Sequence, residues 1–400
     1  MTARFSFAPG LFGAALVAGS MARVAPARAQ APVSGAFVVT LGADTETVEQ
    51  FVRTGNTVVG DIVTRQPATV LTHYTLTLGP SGMPARLEFT RERGDGSPLP
   101  AGLRSGSMTF GADSVVSSLM AGGADTAIVR GAAAAHGLPY IPHAFSFYQY
   151  AVDAMRASGA DSLEISMVPP GSRQRYPFPM LRRGGSEFVV YFFNDATYPQ
   201  RVAVDGSGRI TAVDARATTE KVVAHRVAGV DIQQLAAAFA RADASGHAMG
   251  LASPRDTAAA TAGAAHLWID YGRPAARGRK VFGASGVLGD TLWRTGANAA
   301  TQFRTDVDLE IGGRTLPAGM YTLWMSAHPG RYALIFNKQT GQWGTEHDAT
   351  QDLFAVPLAE HALSDLVERF TIVIDGAAGG TGALRFRWDR TELSIPFRVK

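Results

Sequence analysis

The 400-residue chain contains no cysteine. No disulfide can stabilise the fold, and no thiolate can act as nucleophile or metal ligand. It has no cluster of Lys and Arg dense enough to follow a phosphate backbone, which argues against nucleic acid and against an electrostatic hold on membranes. Neither His-Glu-x-x-His nor a Gly-x-Ser-x-Gly elbow between a strand and a helix is present, so two local signatures of hydrolytic sites are missing. The glycine-rich stretch 376–382 lies between two strand patterns, with no helix whose N-terminus could meet a phosphate. It reads as a flexible hairpin loop, and no cofactor is expected.

The chain begins with Arg4, an apolar run over 7–21 and the small-residue site Ala27-Arg28-Ala29 before Gln30. That is the three-part layout of a cleavable export signal. The run is interrupted by Pro9 and falls short of the ~20 apolar residues of a membrane span. Export to the periplasm or beyond is expected, with no transmembrane segment left after cleavage. Loss of Arg4, Arg23 and Arg28 leaves 34 cationic residues against 34 acidic ones, so the basicity of the whole chain resides in the signal. An exported chain without disulfides must rest on its hydrophobic core. Its length fits two or three domains, and 44 Gly and 21 Pro favour a turn-rich β protein.

Residues 31–215 alternate in the manner of antiparallel strands. Val70, Thr72, Tyr74, Leu76 and Leu78 share one face, and Asp205-Gly206-Ser207-Gly208 marks a hairpin. One helix is predicted over 142–157, where Phe145, Tyr148, Val152 and Met155 form an apolar stripe that Gly159 ends. The expectation is a curved antiparallel sheet with one helix, similar in element order to the LolA-like half-barrels of the periplasm. Residues 216–252 read as a helical connector that starts at the capping box Asp231-Ile232-Gln233-Gln234. Residues 253–400 read as an antiparallel β-sandwich of jelly-roll type. Leu267, Ile269 and Tyr271 alternate there, Gly312-Gly313 is a two-residue hairpin signal, and Pro396 points to an edge strand. The whole chain is therefore expected to be mainly β.

Several blocks in this last region occur together and in order. They are Ser253-Pro254-Arg255, Ile269-Asp270-Tyr271-Gly272-Arg273-Pro274, Trp293-Arg294-Thr295-Gly296-Ala297-Asn298, Leu316-Pro317-Ala318-Gly319 and Gln342-Trp343-Gly344. On these the C-terminal region resembles the DUF2911 family. The resemblance implies an exported bacterial β domain of unknown function and brings no catalytic residues with it.

Asp270, Arg273, Arg294 and Asn298, with Trp293 and Trp343, form the candidate ligand site. Arginine forks hold carboxylate or phosphate bidentately, and indole faces beside polar side chains also suit a sugar or another small polar ligand. A structural Arg–Asp pair is the competing reading. His136, His143 and His347 have no metal-ligand spacing and read as exposed or hydrogen-bonded loop residues, so no metal is expected. The leading functional expectation is a non-catalytic binding or scaffolding protein, with a small ligand or an envelope protein as partner. An envelope or extracellular hydrolase with Asp270 as base beside Arg294 is the alternative. A lipid carrier is a third reading, and it requires an apolar cavity beneath the helix at 142–157.

Overall fold

A computed structural model describes residues 32–122, 126–132 and 136–400. The expected export signal at 1–29 lies outside these residues. The described chain is mainly β, with several antiparallel sheets, none of them closed. Among the described residues no helix is long and apolar enough to cross a membrane.

The larger sheet has 15 strands. Its first eight, from Val33–Leu41 to Thr126–Ala132, each pair with the next in sequence. A second run, from Ser162–Val168 to Val223–Val227, joins the first because Val223–Val227 pairs with Val33–Leu41, in the register Val38 to His225. Pairing throughout is antiparallel except for Gly137–Pro139, which lies parallel to Ser162–Val168. The strand Val223–Val227 belongs to the segment read as a connector, so the sheet extends into it.

Between the two runs stands helix α1, Tyr148–Ser158, preceded by a single 3-10 turn at Phe145–Phe147. Gly159 ends it in the left-handed conformation, with φ 71°. Tyr148, Ala151, Val152 and Met155 face one core with Leu87 and Met108 from one run and Ile165, Met180 and Val202 from the other. Side chains from both runs meet around α1, so the sheet wraps the helix. Phe147, Phe178 and Phe188 are fully buried in the same core, and a cavity of about 460 Å3 lies at Pro142 and His143, ahead of the helix.

Helix α2, Ile232–Ala242, covers the other face of the sheet. The Asp231 half of the capping box forms, with its carboxylate accepting from the Gln234 amide at 2.9 Å. Ile232 and Ala236 close a small core with Val48, Val63 and Leu71.

Residues 255–399 form two further antiparallel sheets, of seven and four strands, whose inner faces share one core. Leu267, Ile269, Phe303 and Leu323 come from the first, and Phe370, Leu384, Phe386 and Trp388 from the second. This is the sandwich that the alternation called for. Gly312 and Gly313, with φ 57° and 73°, form the turn between Leu309–Ile311 and Arg314–Leu316. Pro396 corrects one expectation, because its strand, Thr381–Val399, is internal. Pairing to Ala359–Gly376 ends at Ser394 and pairing to Leu309–Ile311 begins at Phe397. The proline falls where the strand changes partners and needs no ladder donor.

Residues 32–400 pack as one compact unit. The hairpin tip after Val33–Leu41 meets the loop after Ala265–Gly272 through Ala43 N donating to the Arg277 carbonyl at 2.9 Å. The Arg277 guanidinium pairs with Asp44 and donates to the Met249 carbonyl at 3.2 Å. Gly42 has φ 64° at this tip, and a Cβ there would collide with the Arg277 carbonyl oxygen. Only glycine allows so close an approach.

Candidate functional site

The six residues named from sequence do not converge. Leu267, Ile269 and Tyr271 turn inward on their strand, so Asp270 faces outward. Its carboxylate takes the fork of Arg255, at 3.0 Å from Nε and 2.5 Å from Nη2. Arg273 is fully engaged, with Nε on the Phe370 carbonyl at 3.1 Å, Nη1 on Asp256 at 2.9 Å and Nη2 on Thr371 at 2.9 Å. Asn298, at φ 65°, serves its loop. Its carbonyl accepts from the Gly344 amide at 3.0 Å, and its side chain reaches the Ser253 carbonyl at 3.4 Å. Trp343 is half exposed. These four are therefore structural or peripheral. With Asp270 held by Arg255 on the outer face, it has no place as a base beside Arg294.

Trp293 and Arg294 do meet at a cleft, the first at the end of a short strand, Thr291–Trp293, and the second just beyond it. Trp293 is buried. Its indole N–H donates to the Gly296 carbonyl at 2.8 Å, and its ring stacks on Trp388 at 5.8 Å and meets Phe370 edge-on at 4.8 Å. Arg294, the next residue, donates through Nη1 to the Gly344 carbonyl at 3.0 Å, while its buried Nε has no partner.

The cleft encloses about 170 Å3, and Lys221 and Arg279 line it as well. Lys221 sits in the turn between Ile210–Asp214 and Val223–Val227 of the large sheet, at φ 60°. The turn is fixed by the Thr218 hydroxyl, which donates to the Ala215 carbonyl at 2.7 Å and accepts from the Glu220 amide at 3.1 Å. Arg279 donates to the carbonyls of Ala275 and Ala276, at 2.7 and 2.9 Å. Among the described residues no carboxylate forms an ion pair with Lys221, Arg279 or Arg294. Glu46 and Glu368 act on Arg279 only at longer range. Burial, then the fields of Arg294 and Arg279, bring the Lys221 ammonium down to about 8. Burial also lowers both arginines. Thr295, at φ 50°, and Asn298, in the loop that follows Arg294, share the left-handed region with Lys221.

Glu220, beside Lys221, also lines the cleft, and its carboxyl is engaged by other partners. It accepts from Tyr140 at 3.3 Å and from Gln200 at 3.1 Å, and lies 3.8 Å from His143 Nε2. On the other side of the imidazole, Nδ1 is 3.4 Å from Glu46. Burial raises Glu46 to about 7 against the weaker pull of Arg277 and Arg279. It also raises Glu220 to about 7, against hydrogen bonds from Tyr140 and Gln200, with Glu46 adding to the rise. Burial lowers His143 to about 4. The long separations fit an uncharged imidazole between two titrating carboxyls. Glu46, Tyr140 and His143 also border a second cavity of about 460 Å3, with Arg91, Phe89 and Leu103. Among the described residues no group of three or more His, Asp or Glu is placed to hold a metal.

His143 thus differs from the exposed or hydrogen-bonded loop histidine expected. His347 does fit that expectation, with Nε2 2.9 Å from Asp352. Lys221, Arg279, Glu46 and Glu220 were not singled out from sequence. No local motif marks them, because the pairing of the first strand with Val223–Val227 is what brings positions 46 and 220 together.

Residues 253–397 match the family model described as a protein of unknown function, DUF2911, in agreement with the sequence blocks above. The N-terminal region has no family assigned, and no curated protein matches the chain. Among solved structures, a DUF1089 family protein from Pseudomonas aeruginosa is similar at 13% identity and TM-score 0.30, over 42% of this chain and 89% of its own. A β-barrel-like protein of domain of unknown function DUF1849 from Brucella abortus is similar at 11% identity and TM-score 0.33, over 49% of this chain and 94% of its own.

Proposed function

We propose that this protein is an exported, non-catalytic binding protein that captures a compact anion in the cleft between the large sheet and the C-terminal sandwich. One observation carries the reading: Lys221, Arg279 and Arg294 line one cleft, and among the described residues no carboxylate pairs with any of them. Three partly buried like charges oppose one another, and an anion among them would relieve both their repulsion and their lost hydration. The Lys221 ammonium and the Arg294 guanidinium, which gives Nη1 to the Gly344 carbonyl, would supply charge-assisted donors. The volume of about 170 Å3 is below the ~300–1,000 Å3 of sites for drug-sized ligands. It favours phosphate, sulfate or a short carboxylate over a sugar.

Calorimetric titration of the full chain with phosphate, sulfate, acetate and glucose tests this. Saturable binding of an anion, weakened at least tenfold in Arg294→Ala and by added salt, is expected, with no heat from glucose. Equal anion affinity in the parent and in the Lys221→Ala/Arg294→Ala double variant would overturn the proposal.

A further inference from the structure

The cleft's cations differ in kind. The chain holds only four lysines among its 37 cationic residues, Lys221, Lys280, Lys338 and Lys400. One of them lines this cleft, and the other two cations there are arginines. A guanidinium stays charged at any physiological pH, whereas an ammonium can give up its proton and become a nucleophile. Lys221 makes no hydrogen bond or ion pair among the described residues. It follows directly on a turn that the Thr218 hydroxyl fixes, and the next residue, Val222, is fully buried. Arg279 and Arg294 face the same space, and so do the apolar side chains of Leu41, Val287 and Leu288.

We propose that Lys221 is a nucleophilic amine that captures a short oxo acid, a carboxylate adjoining an aldehyde or ketone, as a reversible iminium, with Arg279 and Arg294 holding the carboxylate. This rests on the anion-binding reading and names the class of anion. Burial and two neighbouring guanidiniums are the conditions that activate an amine. With the Lys221 ammonium brought down to about 8, roughly a tenth of it is free amine at pH 7.

The chemistry balances without a redox partner. The ammonium sheds a proton to water, and the nitrogen lone pair attacks the carbonyl carbon as the C=O π bond opens. One nitrogen proton moves to the oxygen, giving a carbinolamine. Its hydroxyl then takes up a proton and leaves as water, and the C=N bond forms. Overall, ammonium plus carbonyl gives iminium plus water, so the positive charge at the nitrogen is retained and the ligand's carboxylate offsets the two guanidiniums.

The full chain is incubated with glyoxylate or pyruvate and sodium cyanoborohydride, which delivers hydride to the imine carbon. Adducts are then located by intact mass and peptide mapping. One adduct at Lys221 is expected, at least tenfold above Lys280, Lys338 and Lys400, which serve as internal references. Lys221→Arg should lose the adduct, and an unchanged circular dichroism spectrum shows that it folds. Arg294→Ala should cut the yield at least tenfold. Phosphate binding without a Lys221 adduct overturns the covalent step and leaves the anion cleft standing. An adduct that forms equally well with acetaldehyde, which has no carboxylate, overturns the oxo-acid assignment. Adducts spread evenly over all four lysines overturn the special role of Lys221.

Discussion

Glu46 and Glu392, in the two β regions of the molecule, expose similarly little surface, at 6% and 5%, although Glu46 lies deeper. Their electrostatic surroundings are opposite. Glu392, in the C-terminal sandwich, receives Arg385 and Arg387 at 2.6 Å each. Burial works against its charge, but the bonds from Arg387 and Arg385 prevail and hold it below the usual glutamate value. Glu46, in the large sheet, has one oxygen without a hydrogen bond, and burial prevails there. The sandwich keeps its interior for aromatic rings, Trp293, Phe370 and Trp388, and gives its nearby carboxylate a partner of opposite charge. The large sheet admits unpaired carboxyls and an uncharged histidine into its interior. The first arrangement favours rigidity and the second responds to protons, and the cation-lined cleft lies where the two regions meet.

The sharpest break of this comparison is Trp293→Ala. The indole stacks between Trp388 and Phe370 and holds the Gly296 carbonyl, so its loss should cost about 3–5 kcal/mol and disturb the neighbouring Arg294. Urea unfolding of the variant measures it. A cost below about 1 kcal/mol would mean that the sandwich core is not the tight element described here.

The large sheet should show its difference through pH. The folded values of Glu46 and Glu220 lie above the unfolded one, so their contribution is fully present below about pH 4.5 and is lost as pH rises through about 7. His143 is depressed, so its contribution is present above about 6.5 and is lost as pH falls through about 4. The three partly cancel between pH 4.5 and 6.5. Above 6.5 only the carboxyls act, and stability should fall by roughly 1–3 kcal/mol towards pH 8. Glu46→Gln/Glu220→Gln should flatten that limb in melts recorded from pH 6 to 8. A double variant with the parent's slope would assign the titration to other groups.

What the sequence made legible is local. Turn chemistry at Gly312-Gly313, the Asp231 cap, the helix stop at Gly159 and the alternation through Tyr271 each follow from a few neighbouring residues. Two of the strands that escaped show why. Asp44–Thr54 buries Glu46, Thr47 and Glu49 beside Val48, so polar residues occupy inward positions and no apolar alternation is visible. Tyr176–Arg182 contains Pro177 and Pro179, which argue against a strand. Both fall where the partner on one side, Glu187–Tyr191, reaches only positions 180–182, so the missing amides cost no ladder bond. The cleft was half legible: Trp293 and Arg294 lie within a family block, whereas Lys221 comes from a distant turn whose place depends on long-range pairing.

Two smaller substitutions sharpen the contrast from the sandwich side and from the outer face of the large sheet. Glu392→Gln leaves Arg385 its pair with Asp375 and leaves Arg387 without a carboxylate. With both guanidiniums about a third exposed, water screens much of the change, and a loss of about 1 kcal/mol at pH 7 is expected. Because the folded value of Glu392 is lowered, that difference should be present above about pH 4.5 and vanish as pH falls below it, the reverse of the Glu46/Glu220 limb. Asp231→Ala should have the smallest effect, about 0.5–1 kcal/mol. The cap satisfies one amide of α2, whose contact with the sheet rests on Ile232 and Ala236. Hydrogen exchange should show the first turn of α2 opening while the amides of α1 keep their protection, because α1 is enclosed by the core and α2 only covers it. Equal loss of protection in both helices would mean that α2 and the wrapped core open together, and the boundary drawn between covering and core would then be misplaced.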